Sequence, residues 1–277
     1  MLVTMKEILD DARARQYGVG FFNTFNVELA MGVIEGAEAL KAPVIIGTAE
    51  ALLGSCDMRL CTDMLRFIAK RSAVPVAVHL DHGFSASVMD EALDAGFTSV
   101  MYDRSELPYD ENVKLLRDLT DRAHARGISV EGELGHVVFD TTDDTGYAYT
   151  QPQDVCDFVE RTGVDALAIA IGTAHGPYKE KPVLDLARLR AIRAITDAAL
   201  VLHGGSGLSD EDFRNCVRDG IQKVNIYTDV SFAASQAAHD YVEAHNKNIH
   251  DVSIAMREAV RDATITKLKL FSCAGKA

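Results

Sequence analysis

VAVHLDHGFSASVMDEALDAGFTSVMYDRSELPYDENVKLLRDLTDRAHARGISVEGELG, residues 76–135, decides the fold. Three β-rich runs begin near Val76-Ala77-Val78, Ser99-Val100-Met101-Tyr102 and Ile128-Ser129-Val130. Between them lie two segments of helical period, and Gly96 and Gly127 stand just before the next run, where helices are capped. The same unit recurs outward in both directions. Val19-Gly20-Phe21-Phe22 and Val44-Ile45-Ile46 precede the stretch; Ala166-Leu167-Ala168-Ile169, Leu200-Val201-Leu202 and Val224-Asn225-Ile226 follow it, with Gly163 and Gly220 as further caps. In the segment after the second run, Leu60, Met64, Leu65 and Ile68 are expected to share one apolar face. Eight strands alternating with helices predict an α/β fold, a single (β/α)8 TIM barrel. A doubly wound sheet is the rival, but the glycine-rich first turn typical of that fold is absent. Residues 229–247 and 249–272, the latter with Met256, Val260 and Ile265, read as two extra C-terminal helices. No linker or low-complexity stretch interrupts the chain, so residues 1–277 are expected to form one domain.

Composition narrows the function class. The net charge of −13, from 28 basic and 41 acidic residues, argues against nucleic acid and anionic membrane surfaces as partners. An anionic substrate would then need local cations, backbone amides or a metal to overcome that field. The cysteines are Cys56, Cys61, Cys156, Cys216 and Cys273, an odd number without a CxxC pair. With no basic-apolar leader and no apolar run of about 20 residues, they suit a reducing, cytoplasmic setting.

In a barrel of this kind, functional groups gather at the C-terminal ends of the strands. There the sequence reads His79-Leu80-Asp81-His82-Gly83, Asp103-Arg104-Ser105, Glu131-Gly132-Glu133-Leu134-Gly135, Gly172-Thr173-Ala174-His175-Gly176, His203-Gly204-Gly205-Ser206-Gly207 and Asn225 to Thr228. His82, His175 and His203 therefore converge on one rim from three strands. Neutral imidazoles suit zinc, and three protein ligands leave a position open for a substrate oxygen. His124, His239, His245 and His250 fall on helical stretches and read as ordinary structural residues. His79, two residues before Asp81, could face the barrel interior. The 203–207 run reads as a nest of backbone amides followed by a helix starting near Ser209, a place where barrels often hold phosphate.

At these residues the chain resembles class II ketose-bisphosphate aldolases, especially the fructose- and tagatose-bisphosphate branch. The matching segments are HLDHG (79–83), VMYDRSELPYDENV (100–113), VEGELG (130–135), YTQPQDV (149–155), GVDALAIAIGTAHGPYK (163–179), LVLHGGSGLSDEDFR (200–214), KVNIYTD (223–229) and CAGKA (273–277), and the likeness covers essentially the whole chain. The resemblance implies that His82, His175 and His203 hold one Zn2+ per subunit, with Glu133 able to approach the metal in an alternative position. It implies that Asp81 manages the proton of the oxygen at the cleaved carbon. Gly176, Gly204, Gly205, Ser206, Asn225 and Thr228 would cradle dihydroxyacetone phosphate with Lys179 beside them, near a monovalent cation (Na+ or K+). The implied reaction is reversible cleavage of a ketose 1-phosphate to dihydroxyacetone phosphate and an aldehyde, by a homodimer or homotetramer. Lys179 as a Schiff-base lysine is a minor alternative.

Four departures bear on the substrate. Where the family has a glycine-paired acidic loop, this chain reads His136-Val137-Val138-Phe139-Asp140-Thr141-Thr142-Asp143-Asp144-Thr145-Gly146, so Asp140, Asp143 or Asp144 could move the proton or could be solvated loop acids. Where the family has an Asp-Pro-Arg for the distal phosphate, this chain reads His245-Asn246-Lys247-Asn248-Ile249-His250-Asp251, without arginine. Tyr227 replaces a residue usually small or acidic. Arg104, at a place usually held by glycine, could meet another anionic group or make a structural ion pair. The leading expectation is therefore a ketose 1-phosphate that need not carry a second phosphate. The alternatives are an ordinary fructose- or tagatose-1,6-bisphosphate aldolase and a non-catalytic subunit of a related aldolase.

Overall fold

The computed structural model describes residues 1–137, 149–176, 182–245 and 248–277. Eight parallel strands pair in chain order and close on themselves, β1 bonding to both β2 and β8. The strands are β1 (Val19–Asn23), β2 (Val44–Ala49), β3 (Val76–Gly83), β4 (Ser99–Tyr102), β5 (Ser129–Leu134), β6 (Ala166–Ile169), β7 (Ala199–Leu202) and β8 (Ile221–Ile226). Every residue in them is buried, as expected when helices cover the outside and side chains fill the inside.

Ten helices surround this barrel among the described residues: α1 (Met5–Arg15), α2 (Val27–Ala39), α3 (Met58–Arg71), α4 (Ala86–Ala95), α5 (Tyr109–His124), α6 (Pro152–Thr162), α7 (Leu186–Arg193), α8 (Asp210–Asp219), α9 (Thr228–Ala244) and α10 (Ile249–Leu270). Local chemistry sets their ends. Thr4 with Glu7 and Ser209 with Asp212 form capping boxes that satisfy free amides at the starts of α1 and α8. Gly96 and Gly163 end α4 and α6 in left-handed conformation, which lacks a steric penalty only for glycine. The two extra C-terminal helices are α9 and α10. α10 lies along α2 at very short range: a methyl group on Gly32 would sit 2.6 Å from the Arg257 carbonyl, and one on Gly36 would sit 2.9 Å from that of Arg261. The small-xxx-small spacing lets the two backbones meet there.

One sequence expectation fails. Leu60 is 66% exposed, and α3 instead buries Met58, Cys61, Thr62, Leu65 and Ala69. Of the four residues expected on one apolar face Leu65 is buried and only Leu60 turns outward, because small residues such as Cys61, Thr62 and Ala69 take the positions nearest the sheet. Met64 and Ile68 pack at the margin of the buried face.

Side chains from opposite strands meet inside the barrel, which places them in its interior. His79 and Asp81 on β3, Glu131 and Glu133 on β5, and Lys223 and Asn225 on β8 each obey the two-residue period of one strand face. The layer below the C-terminal rim of the barrel is thus charged rather than aliphatic.

Candidate active site

His82 reaches its place through a local distortion. The β3–β4 register shifts between Leu80 and Gly83, and His82 itself has φ 41°, a left-handed conformation costly for a residue with a side chain. The bulge puts Asp81 and its neighbour His82 on the same site, although strand alternation would send them to opposite faces. The His82 Nδ1 atom lies 2.9 Å from Asp103 Oδ2, while Asp103 Oδ1 accepts from the Ser105 amide and hydroxyl at 3.1 and 2.7 Å. His203, after β7, places Nε2 2.7 Å from Glu131 Oε1. His175, from the loop after β6, completes the group: its ring centroid is 4.9 Å from that of His82 and 5.7 Å from that of His203. One ligand nitrogen from each of the three lies within 4.8 Å of the others.

This donor set fits a metal ion. Asp103 and Glu131 accept only, so His82 Nδ1 and His203 Nε2 carry the ring protons. The remaining nitrogens, His82 Nε2 and His203 Nδ1, then face one another as lone pairs 2.7 Å apart. Only a cation or a proton between them removes that repulsion. Burial alone would lower the His82 pKa, but the Asp81 and Asp103 carboxylates raise it to about 9, so the surroundings call for positive charge there. His203 and His175 move the other way, chiefly through burial and then through their imidazole neighbours. His82 also belongs to a second possible ligand group with Asp103 and Glu133. Burial, and next the Asp103 charge, push the Glu133 carboxyl well above the usual range.

Asp81 is gripped by two amides: Asn23 Nδ2 donates to Oδ2 and Asn225 Nδ2 donates to Oδ1, each at 3.0 Å. Burial opposes its ionisation, but His82, His203 and Lys223 outweigh that and keep the carboxyl well below its usual range. Glu131 behaves alike: the Lys223 ammonium at 2.8 Å offsets the effect of burial and holds it at about 2.

Of these groups Asn23, Asp81, His82, His175 and Asn225 line a cleft of about 290 Å³. One wall is Gly176, Gly204, Gly205 and Ser206, and Asn225, Tyr227 and Thr228 adjoin it. Gly204 has φ 65°, and a methyl group there would lie 2.3 Å from the Ala174 carbonyl, so the nest requires glycine. Thr228 is the first residue of α9, whose N-terminus therefore opens on the cleft, a favourable place for an anion. The opposite wall is Ala49, Ala51, Leu52 and Phe84.

The structure thus brings together Asp81, His82, His175, His203 and Glu133, and beside them Gly176, Gly204, Gly205, Ser206, Asn225 and Thr228. Arg104 is placed elsewhere: its Nη1 donates to the Phe84 carbonyl at 2.6 Å, its guanidinium lies 5.4 Å from the centre of the Tyr102 ring, and it does not line the cleft. Lys179, Asp140, Asp143 and Asp144 lie outside the described residues. The sequence reading assigned no role to Asn23, Asp103, Glu131 or Lys223. A two-residue step back from Glu133 and Asn225 would have found Glu131 and Lys223.

Comparison with known proteins agrees with this geometry. Residues 3–276 match the family model described as fructose-bisphosphate aldolase class-II. The fructose-bisphosphate aldolase of Geobacillus stearothermophilus is 39% identical over 285 residues, covering 100% of this chain and 99% of that one. The YdjI protein of Escherichia coli is 38% identical over the full length of both chains. The crystal structure of the YdjI aldolase superposes over 100% of both chains with a TM-score of 0.91.

Proposed function

Because this chain belongs to the class II fructose-bisphosphate aldolase family, and so is a carbon–carbon lyase acting on a phosphorylated sugar, we propose that it uses Zn2+ at His82, His175 and His203 to release dihydroxyacetone phosphate from a ketose phosphate. The convergence of three imidazoles beside an amide-clamped carboxylate, in a cleft walled by a glycine nest, supports this reading. A bound Zn2+ supplies a Lewis acid for the oxygens of the ketose and stabilises the charge left when the carbon–carbon bond breaks.

The rest is the work of the chain. Gly204, Gly205 and the start of α9 hold the phosphate through amides, and Ser206 and Thr228 add hydroxyls. Asp81, kept ionised and aimed by Asn23 and Asn225, accepts the hydrogen bond of the hydroxyl on the carbon to be cleaved and takes its proton as that oxygen becomes the aldehyde carbonyl. Phe84, Leu52 and the alanines of the far wall exclude water from the reacting bond.

For the substrate, the relative named as a fructose-bisphosphate aldolase weighs towards a ketose bisphosphate rather than the singly phosphorylated ketose that the sequence analysis put first. One observation favours the other reading: among the described residues lining the cleft there is no lysine or arginine to meet a second phosphate. The deciding experiment compares kcat/KM for fructose and tagatose 1,6-bisphosphates with that for ketose 1-phosphates of neutral tail, detecting dihydroxyacetone phosphate by a coupled reaction. A clear preference for a bisphosphate supports the ordinary aldolase reading. Equal or better turnover of the neutral tail supports the alternative, and no cleavage of any ketose phosphate rejects both.

A further inference from the structure

We propose that Lys223, buried in the barrel beneath the imidazoles, is a positioning residue that orients both the metal ligand His203 and the carboxylate Asp81. The inference rests on the function proposed above. An ammonium group has three donors and no acceptor. Here Nζ lies 2.8 Å from Glu131 Oε2 and donates to Asn225 Oδ1 at 2.8 Å, and it also sits 4.6 Å from the centre of the Phe21 ring. Lys223 is fully buried, so water cannot substitute for any of these partners.

Two consequences follow from the one-way character of those bonds. Since the ammonium only donates, the atom of Asn225 that faces it is the oxygen, and Nδ2 is left to face Asp81 Oδ1. A freely rotating amide could equally present its oxygen to Asp81, which would repel the carboxylate. In the same way Lys223 occupies Glu131 Oε2, leaving Oε1 to accept from His203 Nε2 at 2.7 Å. A proton on Nε2 leaves the Nδ1 lone pair directed towards His82 Nε2 and the centre of the cluster. One cation thereby selects the amide face shown to Asp81 and the imidazole nitrogen shown to the metal.

A stability role explains the residue less well. Interior layers of such barrels are ordinarily filled by branched aliphatic side chains. A buried ion pair adds little net stability over a well-packed apolar replacement. The neighbouring His79 bonds Ser99 Oγ through Nδ1 at 2.9 Å and keeps Nε2 3.7 Å from Glu131 Oε2, so it walls the pair without replacing either bond.

The test uses Lys223→Met, Glu131→Gln and the double variant of the full chain. Affinity for Zn2+ alone is measured by competition with a chromogenic chelator, alongside kcat, KM and circular dichroism. Lys223→Met should fold, weaken Zn2+ binding by about tenfold to a hundredfold, and lower kcat with little change in KM. Glu131→Gln alone offers a single acceptor oxygen, which Lys223 claims, so it too should weaken Zn2+ binding. In the double variant that oxygen is free to accept from His203, and Zn2+ affinity should rise above that of either single variant. Asn225 remains unanchored, so kcat should stay low; this split separates the two arms of the proposal. A folded Lys223→Met enzyme with parental Zn2+ affinity and kcat overturns the inference. Should that variant not fold, 15N spectra of the metal-free parent decide: a His203 proton on Nε2 supports the proposal and one on Nδ1 overturns it. A parent protein that neither binds Zn2+ nor cleaves any ketose phosphate overturns the functional reading itself, and this inference with it.

Discussion

Replacing Asp81 with asparagine removes the charge while keeping the shape. In the native site both carboxylate oxygens accept amide hydrogens, from Asn23 and Asn225 at 3.0 Å. Asparagine at 81 offers one acceptor, and its own NH2 group turns towards the other donor. One buried amide then loses its partner, at about 1–3 kcal/mol. At about 2–4 °C per kcal/mol for a chain of this size, the melting temperature should fall by about 2–12 °C. The kinetic loss should be larger. A missing proton-transfer group lowers rates by about 10²–10⁴-fold, which is about 2.7–5.5 kcal/mol of barrier. Domains are generally stable by about 5–15 kcal/mol, so the variant should remain folded while nearly inactive. The assay measures cleavage rate, bound zinc and thermal unfolding on the same preparation. Zinc content should match the parent, because Asp81 is not among the three imidazole ligands. Asp81→Ala strands both amides and should lose roughly twice the stability. An asparagine variant that keeps more than about a tenth of parental kcat, above the whole range expected for a general base, refutes the assigned role. Parallel loss of zinc and activity refutes it differently, by showing that Asp81 acts through the metal.

Chelation should abolish turnover and added Zn2+ should restore it, whereas trapping of a lysine adduct by borohydride would argue for a different mechanism. His175→Ala and His203→Ala should each lose zinc and activity together, measured by metal analysis. Glu50→Ala should destabilise the fold by about 1–3 kcal/mol and raise KM, because its carboxylate accepts from the Phe84 and Ser85 amides and the Ser85 hydroxyl and so ties together two loops of the cleft wall. Arg104→Ala should change stability more than substrate choice. A drop of about tenfold or more in kcat/KM for bisphosphates alone, the scale of one charge-assisted contact, would instead make Arg104 the receptor of the distal phosphate.

The barrel was legible because strand, helix and glycine cap repeat with little variation, and each strand run named from the sequence lies at or within two residues of an observed strand. The three histidines were legible because they stand at the ends of separate strands, where this architecture gathers its chemistry. What could not be read was direction. Whether Arg104 points into the cleft or back onto Phe84 depends on side-chain torsions and on the exact height of a loop. Adjacent residues such as Asp81 and His82 meet at one site only because of a bulge that no periodicity announces. The buried network of Asp103, Glu131 and Lys223 was hidden for a different reason. Charged residues inside strands look like solvent-facing positions until the closed sheet shows that both of its faces are covered.

The left-handed backbone at His82 has an implication for how such a site survives over generations. Holding a side chain in that conformation costs roughly 1–2 kcal/mol relative to glycine or a relaxed strand. Glycine would relieve the backbone at this position while removing the imidazole that bonds Asp103 and meets His175 and His203. A lineage released from the reaction would gain that relief only by leaving the buried Asp103 carboxylate short of a partner, at about 1–3 kcal/mol. A histidine at 82 therefore carries a backbone cost that its bond to Asp103 and the role proposed for it must together outweigh.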